Sequence, residues 1–261
     1  MPVETERYDR ALLLHGVKRN EVLTLEEVER YGRDSFGDPD YVSIYGLRPR
    51  EWYARGVRIL GRTAVECTRD VLADAMGQTI AANVAMLAPG PHVLAIDPFA
   101  GSCNTLSWIL EHVPASEGLA FELDPRVSEL TRRNLALLGR PIELIEDDSL
   151  KFLHDRPLPS DRALVFFIAP PWGTALDERT GRLDLRRTTP PVTEILASLS
   201  ARYATQPLLF AVQVYQKVEH ASFWEAEALL DRPKFRVFGF NAAGQNHAIL
   251  VGTRGWELRS P

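Results

Sequence analysis

A chain of 261 residues, 45% hydrophobic and 25% charged, carries enough apolar surface for one α/β domain with an extension, which excludes the disordered, collagenous and fibrous classes. Thirty Lys and Arg against 35 Asp and Glu leave a formal charge of -5, which argues against gripping nucleic acid with the whole surface and leaves room only for a local basic patch. Cys67 and Cys103 form neither a CxxC pair nor a disulfide framework, and the apolar run in residues 1–16 is three leucines long, too short for a signal peptide or a membrane span, so the expectation is a soluble cytoplasmic protein with no membrane partner.

Residues 20–61 scatter Tyr31, Phe36, Tyr41, Tyr45, Trp52 and Tyr53 among Gly, Pro and Asp without sustained periodicity, which predicts an irregular aromatic cover. The expected organisation is an N-terminal extension over residues 1–65 acting as substrate cover and a catalytic domain over residues 66–261. In residues 66–87, Val71, Leu72, Met76, Ile80, Val84 and Leu87 share a helical stripe, with Thr68 placed to cap it and Ala88-Pro89-Gly90-Pro91 placed to stop it. Strand and helix patterns then alternate. Residues 92–97 (HVLAID) read as a strand, 105–112 as a helix, 119–123 (LAFEL) as a strand, 125–138 as a helix opened by Pro125 and ended by Gly139, and 142–145 (IELI) as a strand. Residues 163–169 (ALVFFIA) are apolar throughout, as a central strand covered on both faces requires, and residues 207–218, 235–240 and 247–252 complete about seven strands. The alternation predicts a doubly wound, mostly parallel, Rossmann-like α/β sheet.

Ligands of such sheets bind outside the carboxyl ends of the strands, where strand order reverses. The first strand ends in Asp97-Pro98-Phe99-Ala100-Gly101-Ser102-Cys103-Asn104-Thr105, a small-residue loop that lets backbone N–H groups approach a ligand, with Asn104 or Thr105 available as helix cap. GxGxxG is absent, so a nucleoside with a small polar tail suits the loop better than a pyrophosphate. Glu122, 21 positions after Gly101, stands where an acid accepts ribose hydroxyls. Asp147 or Asp148, of which Asp148 is preferred, stands where an adenine amino group would be met; its competing role is a helix N-cap. The fourth strand runs into Ala169-Pro170-Pro171-Trp172-Gly173, in which two prolines stiffen the backbone and the indole offers a flat face to a planar group, unless it plugs the core.

DPFAGSCNT resembles the first motif of amino-directed S-adenosylmethionine methyltransferases, and APPW resembles their diproline motif, in the same order. The nearer resemblance is to the RNA cap guanine-N2 methyltransferase (trimethylguanosine synthase) family, through the D-x-F-x-G loop ending in Asn-Thr, the PPWG tetrapeptide and the following Leu183-Asp184-Leu185-Arg186; it spans residues 56–187. The resemblance implies a class I methyltransferase fold and S-adenosylmethionine as cofactor. It implies that Asp97, Phe99, Gly101, Asn104 and Thr105 surround the methionine part, Glu122 the ribose and Asp148 the adenine, while Ala169, Pro170, Pro171 and Trp172 address the acceptor nitrogen. Cys103 stands where that family has glycine, and Ala169 where it has Asp, Asn or Ser, so only main-chain carbonyls orient the nucleophile.

The expected reaction is methylation of a planar nitrogen nucleophile (amine, amidine, guanidine or N-heterocycle) of a small molecule. The alternatives are RNA guanine-N2 or adenine-N6 methylation, for which Arg48, Arg50, Arg55, Arg58 and Arg62 against the single acid Glu51 would supply phosphate contacts, and a non-catalytic cofactor-binding partner subunit. The six histidines show no metal-ligand spacing, and neither GxSxG nor GxxxxGK[ST] occurs, so no metal and no hydrolase or phosphate-loop chemistry is expected.

Overall fold

The computed structural model describes residues 7–86, 92–113, 116–177, 179–239 and 247–257. Apolar runs flanked by turns form the spine: β1 (Val93–Asp97), β2 (Ser116–Phe121), β3 (Ile142–Ile145), β4 (Ala163–Ile168), β5 (Leu208–Tyr215), β6 (Asp231–Phe238) and β7 (His247–Arg254). Every residue of β1 and β4 is buried, as strands covered by helices on both faces require. The sheet order is β3-β2-β1-β4-β5-β7-β6, parallel from β3 to β5, with β7 antiparallel to both its neighbours. The seven-stranded, mostly parallel sheet is therefore as the sequence predicts, though the last expected strand pair is longer than its apolar core, and Phe240, expected in a strand, lies outside the described residues. Strand order reverses between β1 and β4, which opens the crevice there.

Helices fill both faces. On one side lie α5 (Asp70–Val84), α6 (Asn104–His112) and α7 (Pro125–Leu137), whose Met76, Ile80, Leu106, Ile109 and Leu135 meet Ala95, Val165 and Ala211. On the other lie α8 (Ser149–Asp155), α9 (Val192–Arg202) and α10 (His220–Glu227) against Ile96, Phe166 and Phe210. Pro125 opens α7 at its first turn with Asp124 as N-cap, and Gly139 follows at φ 61, as predicted.

The first sixty-five residues depart from the expected irregular cover. They contain α1 (Arg10–Leu14), α2 (Leu25–Phe36), α3 (Pro49–Ala54) and most of α4 (Gly61–Glu66). The twelve-residue α2 forms because Thr24 and Glu27 make a reciprocal capping box, Gly37 closes the C-terminus at φ 71, and Leu25, Val28, Tyr31 and Phe36 recur at helical spacing on its inner face, a period the expectation of an irregular cover missed. Tyr31, Tyr45 and Trp52 are buried core residues of this unit, and its core is continuous with the α5–α6 side of the sheet. The expected cap of α5 is also corrected: the helix begins at Asp70, Arg69 holds the cap position without a side-chain bond, and the Thr68 hydroxyl turns away to donate to Gln213. Val71 is half exposed, off the buried stripe, while Thr79 and Asn83 lie on it. Leu87 and the stop at 88–91 lie outside the described residues.

A polar seam ties this unit to the sheet. Asp70 Oδ1 accepts from Trp108 Nε1 (2.8 Å) and Asn104 Nδ2 (3.1 Å), and Oδ2 accepts from Gly46 N (2.9 Å). Asn104 Oδ1 accepts from Tyr45 N at 2.6 Å, its Nδ2 also donates to the Thr68 carbonyl at 2.8 Å, and the Tyr45 hydroxyl donates to the Ser102 carbonyl. Burial pushes the Asp70 carboxyl above its usual range, and the donors oppose that shift without cancelling it. Replacing Asp70 by alanine orphans three donors at once, so a loss of about 3 kcal/mol or more is expected as a lowered urea midpoint at constant slope.

Candidate functional site

The loop after β1 is held from several sides. Ala100 N donates to the Phe121 carbonyl (2.9 Å), Thr131 Oγ1 to the Gly101 carbonyl (2.9 Å), and Phe99 N to Asp97 Oδ1 (3.0 Å). Gly101 lies at φ 50 with open space where a Cβ would stand, and Cys103 at φ 57 occupies the cap position of α6. Neither Asn104 nor Thr105 caps that helix, contrary to expectation: both lie inside its first turn, buried, and the Asn104 amide is committed to the seam on its oxygen and its nitrogen. Asn104 thus shapes the loop rather than presenting a free amide.

Two acids flank the turn. Asp97 is buried at the end of β1, and desolvation, with a smaller contribution from nearby Glu122, pushes its carboxyl up to about 7. Glu122, just past β2, is also pushed up by burial; its Oε2 accepts from Gly101 N (3.2 Å) and its Oε1 from Asp124 N (2.8 Å). Arg62, at the start of α4 and read from the sequence only as a candidate phosphate contact, pairs with Asp124 at 2.9 Å and brings a largely buried guanidinium to the same edge. Asp148 adopts the bland role, capping α8 by accepting from Lys151 N (3.0 Å), and its side chain is exposed beyond β3 with Asp147 beside it. Phe99 is half buried against the α8–α9 side.

Across the switch point, the backbone leaves the β4 ladder after the Ile168–Val212 pair and enters Ala169-Pro170-Pro171-Trp172. Pro170 is buried, Pro171 exposed, and Trp172 half buried, so the indole is not sealed in the core. It packs at the carboxyl end of the sheet on Tyr215 (centroids 4.4 Å apart) and His247 (5.7 Å, planes at 27°). Tyr215 and His247 are a cross-strand pair of β5 and β7, which brings their rings to 4.9 Å. Neither residue was marked by sequence analysis; the usable signal was the polar alternation Gln213, Tyr215 in an otherwise apolar strand end. Arg69 lies 4.7 Å over the Tyr41 ring, and burial, followed by the Arg69 charge, pushes the His247 imidazole down to about 4. The two sides of the crevice therefore differ: carboxyls on the β1–β2 side, a neutral aromatic cluster bordered by a cation on the β4–β5 side.

Of the arginines considered for phosphate binding, Arg58 and Arg62 are held within the chain, whereas Arg48 and Arg50 are exposed and only loosely paired. Arg58 lies 3.5 Å over the Tyr53 ring and donates to the Tyr53 and Val57 carbonyls, while Arg48 and Arg50 approach Asp40 and Glu29 at 3.6 and 3.5 Å. After the diproline turn, Arg186 pairs with Asp184 and Glu219. No helix among the described residues is long and apolar enough to cross a membrane.

No protein-family model and no curated protein sequence matches the chain. Among solved structures, it is similar to precorrin-6y C5,15-methyltransferase from Geobacter metallireducens (14% identity over 74% of this chain and 92% of that one, TM-score 0.44). It is also similar to an rRNA methylase from Streptococcus thermophilus (17%, 72% and 98%, TM-score 0.40). A third is a protein assigned to the class I S-adenosylmethionine-dependent methyltransferases from Listeria monocytogenes (13%, 72% and 62%, TM-score 0.48). At these values the likeness concerns the path of the chain and not its chemistry.

Asp97 supplies a direct test of the site's electrostatics. Its folded value, raised to about 7 from an unfolded value of about 3.9, means that its contribution to stability is full below pH ~4 and is lost as pH rises through 7, by about 4 kcal/mol in all. Asp97→Asn keeps the acceptor for Phe99 N and removes the titration, so its melting temperature is expected to fall less than the wild type's between pH 4 and 8.

Proposed function

We propose that the protein is an S-adenosylmethionine-dependent methyltransferase that methylates a planar nitrogen nucleophile of a small molecule. The observation that carries the reading is the pair of carboxyls flanking the Gly101 turn at the strand-order reversal, Asp97 buried and Glu122 partly buried, both raised by desolvation. Buried acids with raised values are costly unless a ligand brings donors or positive charge to them, and a nucleoside carrying an amino acid tail brings both. In this reading Glu122 accepts ribose hydroxyls, Asp97 faces the methionine part beside Phe99, Gly101 and Thr105, Asn104 acts by holding the loop, and Asp148 offers its second oxygen to the base. S-adenosylmethionine, when bound, supplies an electrophilic methyl carbon.

The remaining work is positioning. The carbonyls of Ala169 and Pro170 aim the acceptor N–H, Pro171 stiffens the turn, and Trp172 lies against the acceptor ring, so that a lone pair approaches in line; orientation of this kind contributes several kcal/mol. A neutral nitrogen needs no resident base for attack. Residues 1–65 act as the cover of this side through Tyr41, and the cytoplasm is the compartment that fits two unpaired cysteines. RNA guanine-N2 or adenine-N6 methylation, the activity nearest the trimethylguanosine synthase resemblance, is the second reading, favoured by the Asn-Thr and PPWG motifs and weakened by the intramolecular engagement of Arg58 and Arg62. A non-catalytic partner subunit would bind cofactor without turnover.

S-adenosylhomocysteine at a hundredfold excess over its Kd is expected to stabilise the protein by about 2.7 kcal/mol, read as a rise in Tm that NAD does not produce. No shift with the former refutes the reading. Trp172→Ala is expected to raise KM and lower kcat roughly tenfold or more while leaving S-adenosylhomocysteine affinity unchanged; full activity would remove the stacking role. Steep salt-dependent binding of RNA would instead select the second reading.

A further inference from the structure

We propose that His247 presents its Nε2–H to the acceptor molecule, so that the site selects heteroaromatic amines carrying a hydrogen-bond acceptor, a ring nitrogen or carbonyl oxygen, next to the reacting nitrogen. The inference deepens the methyltransferase reading and rests on it.

His247 opens β7 directly opposite Tyr215 on β5, and Gln213, two residues back along β5, lies on the same face and diagonal to it. The Gln213 amide nitrogen lies 3.5 Å from His247 Nδ1, and its oxygen accepts from the Thr68 hydroxyl at 3.2 Å. An amide nitrogen can only donate, so with its oxygen engaged by Thr68 it assigns Nδ1 as acceptor and leaves the imidazole proton on Nε2. Thr68 is itself fixed, because its carbonyl accepts from Asn104 Nδ2 at 2.8 Å. The relay from the polar seam to the imidazole thus sets a tautomer as well as a position.

The surroundings keep the ring neutral. Tyr215 and Trp172 pack against it, and Arg69, the charged group facing it from the start of α5, repels a second proton. Through the neutral pH range the ring is therefore a donor on Nε2 and not an imidazolium. A ring seated against Trp172 with its amine at the Ala169 and Pro170 carbonyls brings its adjacent edge toward His247. An amine with no neighbouring acceptor leaves that N–H without a partner on the ligand at a partly buried position, which costs affinity.

Two measurements on the full chain test this. Long-range proton–nitrogen NMR at pH 7.5 is expected to show His247 with the proton on Nε2, and Gln213→Leu is expected to release that preference. With S-adenosylhomocysteine present, 2-aminopyrimidine, whose amine neighbours ring nitrogens, is expected to bind about tenfold more tightly than aniline, and His247→Phe, which keeps a flat ring, to bring the ratio near one. A proton on Nδ1, a doubly protonated ring, or equal affinity for the two probes overturns the proposal. Failure of S-adenosylhomocysteine to raise Tm in the same samples overturns the methyltransferase reading instead, and the tautomer measurement remains informative about the relay.

Discussion

The arrangement of the crevice depends on one buried amide. Asn104, the first residue of α6, bonds the backbone of Tyr45 with its oxygen and the Thr68 carbonyl and Asp70 carboxylate with its nitrogen. Three chain segments distant in sequence meet there: the N-terminal unit, the start of α5 and the loop after β1. Their relative position fixes both halves of the site, since the loop carries Gly101 and the α5 start carries Thr68 and Arg69. Buried polar groups of this kind constrain a structure because each bond left unmade inside carries a full desolvation cost.

The two halves are electrically unlike, which is informative about what each accommodates. On the β1–β2 side, desolvation raises both Asp97 and Glu122, so that part favours ligands that donate hydrogen bonds or carry positive charge. On the β4–β5 side burial and the Arg69 charge hold the imidazole neutral beside the Trp172 and Tyr215 rings, which favours flat uncharged rings. In the proposed reading the first wall takes the polar cofactor and the second the planar acceptor.

Much of the sheet was legible in the sequence because buried parallel strands are short apolar runs, and ALVFFI and VLAID can hardly be anything else. The strand-end positions of Gly101, Glu122 and Trp172 followed from that reading together with two motifs. Other features were hidden for physical reasons. Helix α2 has end signals, the Thr24–Glu27 box and Gly37, and a stripe of Leu25, Val28, Tyr31 and Phe36, but only one apolar residue per turn, which a charged sequence and aromatic neighbours obscure. The spacing of Val192, Ile195, Leu196 and Leu199 marks α9 plainly enough to have been used. Tyr215 and His247 meet only through antiparallel pairing across thirty-two positions of sequence, and no local pattern announces such a meeting. Asn104 looked like a cap because asparagine often is one; its tertiary bonds took precedence.

The insertion of β7 between β5 and β6 also shapes how the molecule is made. In the described sheet β6 has β7 as its sole neighbour, yet β6 precedes it along the chain. A ribosome therefore delivers one strand before the template that will hold it, and for that interval both β5 and β6 present unsatisfied rims with apolar side chains such as Phe235 and Val237 alongside. Lys234 and Arg236, which in the finished fold reach Asn83 and Thr79, place positive charge on that waiting ribbon and discourage it from joining a neighbour of its own kind.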